Sequence, residues 1–352
     1  MTAVGRTLVA AAAALWLGAC ATAGPAPETG PPAPPPSAPA RTAAREAPAP
    51  VPETFESEDF FVTTARTGDT PADIAGRLLG DPGKAWMIED FNGTATITTG
   101  QEVIVPKRPW NPSGVESTGY QLVPVLTYHD IGPQAKGRLV IGVKSFEEQM
   151  RYLKEQGYRV ISLSQFHEFL SLKRQLPRRS VVVTFDDGYK SFLRYAYPVL
   201  KELGFTATLF VYTDYVGAGR NALSWDDLAT LAAEGFQVEG HSKTHSDLRR
   251  RQGESEADHS RRMRAEMEGP QKLFEQRLGR PARFLAYPYG AADDDVVQRT
   301  REHGFVGGLT VFREGNASFA PLFRIRRSQI YSEMTLDDFV KNLNTFAAEP
   351  IR

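Results

Sequence analysis

The 352-residue chain has one cysteine, Cys20, so it holds no disulfide framework and no zinc site built from several thiolates. Long apolar runs are almost missing. The one strong run, Leu8–Leu17, is too short to cross a bilayer as a mature helix. An excess of charge of one sign is missing too: 41 basic against 42 acidic residues leave a formal charge of −1. Such a chain has no overall field to hold nucleic acid, and no nucleic-acid partner is expected. What is present is ordinary globular composition, 41% hydrophobic and 24% charged. At ~150 residues per folded unit, the length suggests roughly two of them.

The front of the chain reads as an address. Arg6 supplies a positive start, Leu8–Leu17 an apolar stretch, and Leu17-Gly18-Ala19-Cys20 a run of small residues before the cysteine. This resembles a bacterial lipobox, which implies removal of residues 1–19 and lipidation of Cys20. Two acyl chains anchor stably. Ala21 and Thr22 follow with no aspartate, so the expected location is the cell envelope, lipid-anchored, with the outer membrane facing the periplasm favoured. Residues 24–52 hold eleven of the 25 prolines and few large apolar side chains. Such a segment buries too little surface to offset its ordering entropy, so residues 20–58 are expected to form a disordered tether.

From Phe60 the pattern changes. Phe60-Phe61-Val62 predicts a strand, and Gly68-Asp69-Thr70 a turn into a helix bearing Ile74, Ala75, Leu78 and Leu79 on one face. A second helix carries Trp86, Ile88 and Phe91 and ends at Asn92-Gly93. A strand at Glu102–Val105 is stopped by Pro106. Gly68-Asp69-Thr70, Ile74-Ala75, Asn92, Gly100-Gln101 and Val103–Pro106, in that order, resemble a LysM module over residues 59–107. The resemblance implies binding of N-acetylglucosamine-containing glycan, chiefly peptidoglycan or chitin. A linker at 108–119 follows, marked by Pro109, Pro112 and Gly114.

Residues 120–352 alternate strand and helix. Predicted strands are Leu122–Tyr128, Ser180–Phe185, Thr206–Tyr212, Phe236–Glu239, Arg283–Tyr287, Phe305–Val311 and Ile325–Ile330. A helix is expected from Ser145, with Glu148 completing a capping box, and another from Thr335 to Leu343. Near-continuous apolar strands between amphipathic helices predict an α/β fold with a mostly parallel sheet, and seven strands suit a barrel. In such barrels chemistry gathers at the C-terminal ends of the strands.

Two motifs sit at such ends. Val181–Phe185 runs into Asp186-Asp187-Gly188, where a bend at Gly188 lets two carboxylates converge. One carboxylate can bind a metal while the other accepts a proton. Phe236–Glu239 runs into Gly240-His241-Ser242-Lys243-Thr244-His245, two imidazoles four residues apart. Asp187, His241 and His245 together make a two-histidine, one-carboxylate set, suited to zinc hydrolysis or to non-haem iron chemistry.

Thr184-Phe185-Asp186-Asp187-Gly188 and His241-Ser242-x-x-His245 resemble the first two motifs of the NodB-homology polysaccharide deacetylases, carbohydrate esterase family 4. Leu126-Thr127-Tyr128-His129 is similar to that family's opening strand, and Ala286-Tyr287-Pro288-Tyr289-Gly290 to its third motif. The resemblance implies a distorted (β/α)7 barrel, here preceded by the small α+β LysM-like domain. It implies a divalent metal, Zn2+ first with Co2+ or Ni2+ as alternatives, held by Asp187, His241 and His245, with Asp186 as general base. It also implies that the backbone N–H of Tyr289 steadies the oxyanion, while Tyr287, Pro288 and Tyr289 shape the sugar-binding wall.

The chain departs from that pattern in three places. Ala286 stands where many members have an arginine orienting the base, no tryptophan follows Trp225, and no histidine follows His303 to serve as acid. His129, beyond the first strand, is the replacement acid candidate. His167, His259 and His303 read as surface-helix residues with no role. These departures resemble the deacetylases of poly-β-1,6-N-acetylglucosamine. The expected activity is therefore N-deacetylation of an envelope or secreted polysaccharide. The alternatives are a peptidoglycan or chitin-oligomer deacetylase, or a weakly active glycan-binding lipoprotein.

Overall fold

In the computed structural model, residues 54–134 and 136–349 are described, and all of them fall in one unit, Pro52–Arg352. The signal segment, Cys20 and most of the tether lie outside the described residues. Among the described residues no helix is long and apolar enough to cross a membrane.

The small N-terminal part runs β1 (Thr54–Glu56), β2 (Phe60–Thr64), α1 (Pro71–Leu79), α2 (Ala85–Asn92) and β3 (Glu102–Pro106). Its strands pair antiparallel in the order β1-β2-β3. Thr70 caps α1 in a reciprocal box with Asp73, Pro71 takes the first helical position, and Gly80 ends the helix in the left-handed region. Ile74, Ala75, Ile88, Val103 and Val105 form a core separate from that of the larger part. Asn92 stitches α2 to β3. Its amide donates to the carbonyls of Ile88 and Ile104, at 2.8 and 2.7 Å, and accepts from the Ile104 N–H.

Two details differ from the sequence expectation here. Strand β1 lies inside the segment assigned to the tether and pairs with β2. The 108–119 segment is no open spacer: Trp110 packs on Trp86 and Phe91, and Gln175 accepts from the N–H groups of Trp110 and Asn111. Val115–Glu116 also pairs with Gly119–Gln121 in a strand ladder. The face of α2 toward the larger part is tied down by Arg159 on Glu89 (2.8 Å) and by the Arg178 N–H on Asp90 (3.0 Å).

The larger part is built on seven parallel strands: β4 (Val125–Tyr128), β5 (Ser180–Asp187), β6 (Thr208–Val211), β7 (Gln237–Gly240), β8 (Phe284–Ala286), β9 (Gly307–Leu309) and β10 (Ser328–Gln329). All seven fall where the apolar runs predict strands. The ladder goes β4-β5-β6-β7-β8-β9, and the last segment returns to the first. Leu309 bridges Ile325, and β10 pairs with β4 through Ser328–Leu126 and Gln329–Thr127. The sheet is therefore curled into a distorted seven-stranded barrel.

Both faces of these strands are buried, which explains their unbroken apolar sequence. Val125, Val182, Phe210, Phe284, Ala286, Leu309 and Ile325 share one buried cluster with Phe166, Phe169 and Leu170 of α4 (Leu163–Leu170). Leu126, Val181, Val183, Leu209, Val238 and Leu285 belong to the other. That second cluster also takes Phe146, Met150 and Leu153 from α3 (Val143–Glu155), Leu200 from α5 (Tyr197–Leu203) and Leu228 from α6 (Trp225–Ala233). Met263, Met267 and Phe274 from α7 (Glu256–Leu278) and Val296 from α8 (Asp294–Glu302) complete it. Helix α3 starts two residues before Ser145, on Gly142, with no side-chain cap. The expected box at Ser145 and Glu148 is thus not the helix start. The last helix, α9 (Leu336–Val340), does carry the box, from Thr335 and Asp338.

Candidate active site

Alternation along β5 places Val182, Thr184 and Asp186 on one face of the strand, and Asp186 arrives buried at its C-terminal end. The bend that brings Asp187 to the same place begins at Asp187 itself, with φ 75°, and continues through Gly188 at φ 87°. A left-handed aspartate persists only where its surroundings over-determine it. Beyond β7, His241 and His245 sit on a turn in which Ser242 and His245 also have positive φ, 69° and 61°.

These elements bring Asp187, His241 and His245 together, with one potential ligand atom of each lying within 4.8 Å of the others. Asp187 Oδ1 is 3.6 Å from His241 Nε2 and 3.4 Å from His245 Nε2. It is buried and has no hydrogen-bond partner. The far side of His241 is committed. His241 Nδ1 lies 2.7 Å from the Ala286 carbonyl, an acceptor only, so Nδ1 carries the proton and the Nε2 lone pair faces Asp187. The Tyr189 hydroxyl beside it favours the ionised form of the Asp187 carboxyl.

Burial holds His241 down to about 4, and also lowers His245, so both imidazoles are neutral at pH 7. Burial, aided by the neighbouring Asp186, pushes Asp187 up to about 6. An orphaned oxygen and two neutral imidazole lone pairs, at one point from which charge is otherwise discouraged, fit a divalent cation. A cation there would reverse the penalty on the Asp187 carboxylate.

Asp186 is treated differently. Burial pushes its carboxyl up, but the charge of Arg327, with His241 and His129 in support, outweighs this and lowers it to about 2. Arg327 is fully buried and donates Nη1 to Asp186 Oδ1 and Nη2 to Oδ2, at 2.7 and 2.8 Å. Its Nε donates to the Thr310 carbonyl, and its guanidinium lies over the Phe210 ring. This arginine was missed in the sequence, where it lies inside the predicted strand Ile325–Ile330 and was given no role. The available signal was alternation, since Arg327 shares a strand face with the buried Ile325. Where Ala286 has no guanidinium to offer, the segment just before the closing strand brings one against Asp186.

The remaining expected residues divide. His129, half-buried just after β4, is close enough to Asp186 and Asp187 for its charge to favour ionisation of both, and its buried Nδ1 has no partner. Tyr289 is 66% exposed, has φ 61°, and its ring lies 4.8 Å from that of His245. Tyr212 flanks the same imidazole at 5.2 Å. Tyr287 and Pro288 do not line a sugar wall. Tyr287 is fully buried, donates its hydroxyl to the Phe323 carbonyl at 3.0 Å, and occupies space that any side chain at Gly308 would invade. Pro288 is buried as well. His259 is no surface residue either: it is fully buried, and its Nε2 is bonded to the Leu248 carbonyl.

Residues 173–308 match the polysaccharide deacetylase family. Among curated proteins the chain is similar to YxkH of Bacillus subtilis (strain 168), which carries the same family name, at 27% identity over 188 residues. That match covers 53% of this chain and 64% of YxkH. It is also similar to the poly-beta-1,6-N-acetyl-D-glucosamine N-deacetylase of Staphylococcus epidermidis, at 25% identity over 212 residues, 58% of this chain and 73% of that one. Among solved structures, the Streptococcus pyogenes deacetylase PplD in complex with acetate shares the fold. It has a TM-score of 0.58 and 23% identity, and the match covers 64% of this chain and all of that one. The family match and the N-deacetylase relatives support a hydrolase acting on carbon–nitrogen bonds other than peptide bonds.

Proposed function

We propose that this chain removes N-acetyl groups from N-acetylglucosamine units of a polysaccharide, with a β-1,6-linked polymer favoured, using a divalent metal held by Asp187, His241 and His245. The observation that carries the reading is the pairing of that three-residue set with a second carboxylate, Asp186, kept ionised by Arg327. When bound, the metal would supply Lewis acidity toward the acetamide carbonyl and make water more acidic.

The chain's own residues do the rest. Asp186 takes the proton from the attacking water. Arg327 holds the plane of that carboxylate and keeps it ionised, so the base is ready before substrate arrives. In this reading the backbone N–H of Tyr289 steadies charge growing on the carbonyl oxygen. His129, beside both carboxylates, is the candidate to hand a proton to the departing amine. The exposed Tyr289 ring offers a face to the sugar.

Preference for the β-1,6 linkage rests on the staphylococcal relative and on the missing family arginine and C-terminal histidine. Zinc is proposed over cobalt or nickel because neutral imidazoles with one carboxylate and open positions suit it. In the same reading the small N-terminal part is LysM-like and holds peptidoglycan, and lipid on Cys20 anchors the chain in the envelope. Zinc-loaded protein is assayed for acetate release from β-1,6-linked N-acetylglucosamine oligomers, chitin oligomers and peptidoglycan side by side. Release fastest from the β-1,6 series supports the proposal. Release from none of the three overturns it, and preference for either other polymer overturns the linkage.

A further inference from the structure

The turn that presents the two imidazoles is short, strained and held from outside. Ser242 and His245 adopt left-handed backbone angles, a conformation L-residues keep only under constraint. On one side β6 and its extension hold the turn: the Thr213 and Asp214 N–H groups donate to the carbonyls of Ser242 and Lys243, at 3.2 and 2.9 Å. The other side is held by one carboxylate from a different element. Glu266, in the middle of α7 and 4% exposed, accepts at Oε2 from the N–H groups of Lys243 and Thr244, both at 3.0 Å. Its Oε1 accepts from the hydroxyls of Thr244 (2.6 Å) and Ser246 (3.2 Å). All four donors lie on the segment between and just beyond the two histidines.

We propose that Glu266 is a positioning residue for the metal site, fixing the His241–His245 turn with its four accepted hydrogen bonds and adding a buried negative charge beside it. The inference rests on reading Asp187, His241 and His245 as a cation site. Glu266 reaches no ligand atom itself. It acts through backbone and hydroxyl groups, as outer partners of metal ligands do elsewhere, where their loss costs about 10–100-fold in affinity. Removing the carboxylate would leave the Lys243 and Thr244 N–H groups without this acceptor and free the turn to relax toward ordinary backbone angles, carrying His245 away from Asp187.

The test is Co2+ titration of the metal-stripped full chain, read by the visible absorption of bound cobalt, with thermal unfolding of the metal-free forms alongside. Glu266→Gln keeps size and one acceptor oxygen and lets the rotatable hydroxyls accept from its amide, so it isolates the charge. It is expected to weaken cobalt binding about tenfold, and Glu266→Ala about 100-fold with an altered spectrum. Thr244→Val, which deletes one donor, is expected to weaken binding several-fold and covers the case in which the alanine variant does not fold. Glu275→Gln, an exposed change on the same helix, is the control. If the Gln and Val variants bind Co2+ with wild-type affinity and spectrum, whatever their unfolding temperatures, Glu266 is purely structural and the inference falls alone. If the unmodified chain binds no Co2+, the cation reading falls and takes this inference with it.

Discussion

Arg327 grips Asp186 at both oxygens, and both residues are buried, the arginine 0% and the aspartate 3% exposed. They are 141 positions apart, the arginine just before the last strand of the barrel and the aspartate on the second. The closing segment therefore delivers the partner of the proposed base. A buried pair of this kind is dominated by the cost of breaking it.

Arg327→Met strands a buried carboxylate. It is expected to cost about 3–5 kcal/mol of stability, read as a lowered unfolding temperature. Arg327→Lys keeps the charge but loses the two-toothed geometry. It is expected to fold and to release acetate about 10–100-fold more slowly, with most of the loss in kcat.

Tyr287 and Tyr289 separate packing from substrate contact. Tyr287→Phe removes a hydroxyl bonded to the Phe323 carbonyl and is expected to cost about 1 kcal/mol of stability with KM unchanged. Tyr289→Ala removes an exposed ring beside His245 and is expected to raise KM for sugar oligomers while the unfolding temperature stays put. Steady-state kinetics and melting curves of the two variants check both statements.

Asp90 gives the joint between the small part and the barrel a pH dependence. Burial pushes its carboxyl up to about 6, against the opposing Arg178 N–H and charge. The folded state therefore holds that proton more tightly than the unfolded chain does. The resulting stability is complete below about pH 4 and is lost as pH rises through about 6. Asp90→Asn keeps an acceptor for the Arg178 N–H and has no charge to desolvate. Relative to wild type it is expected to gain roughly 2 kcal/mol between pH 4 and pH 7, measured by denaturant unfolding at both pH values.

Metal removal has one expected result. Dialysis against a chelator abolishes acetate release, and Zn2+ or Co2+ restores it. His245→Ala is expected to resist restoration, since it removes one of three ligand atoms. Acetate assays before and after metal addition check this.

Much of the barrel was legible because strands buried on both faces must be apolar throughout, and turns must interrupt them. Asp186, Asp187, His241 and His245 stood out because each motif follows such a run directly. What the sequence hid was long-range or purely geometric. Arg327 acts across the barrel seam, and no local pattern names its partner. Tyr287 looks like Tyr289 on paper, yet one faces inward under Gly308 and the other outward from a left-handed turn. Strand β1 follows the proline-rich stretch and has only three residues, too few for alternation to register. The segment around Trp110 read as a linker from its prolines, while its tryptophan was already committed to a stack with Trp86 and Phe91.

The most direct test of the account compares wild type with Asp186→Asn, both loaded with Co2+, on a β-1,6-linked N-acetylglucosamine oligomer. Asp186 touches the attacking water in this reading but is no ligand. The variant is therefore expected to bind one cobalt ion with near-wild-type affinity and to release acetate at least about 10³-fold more slowly. Acetate release by the cobalt-loaded variant within a few-fold of wild type would contradict it.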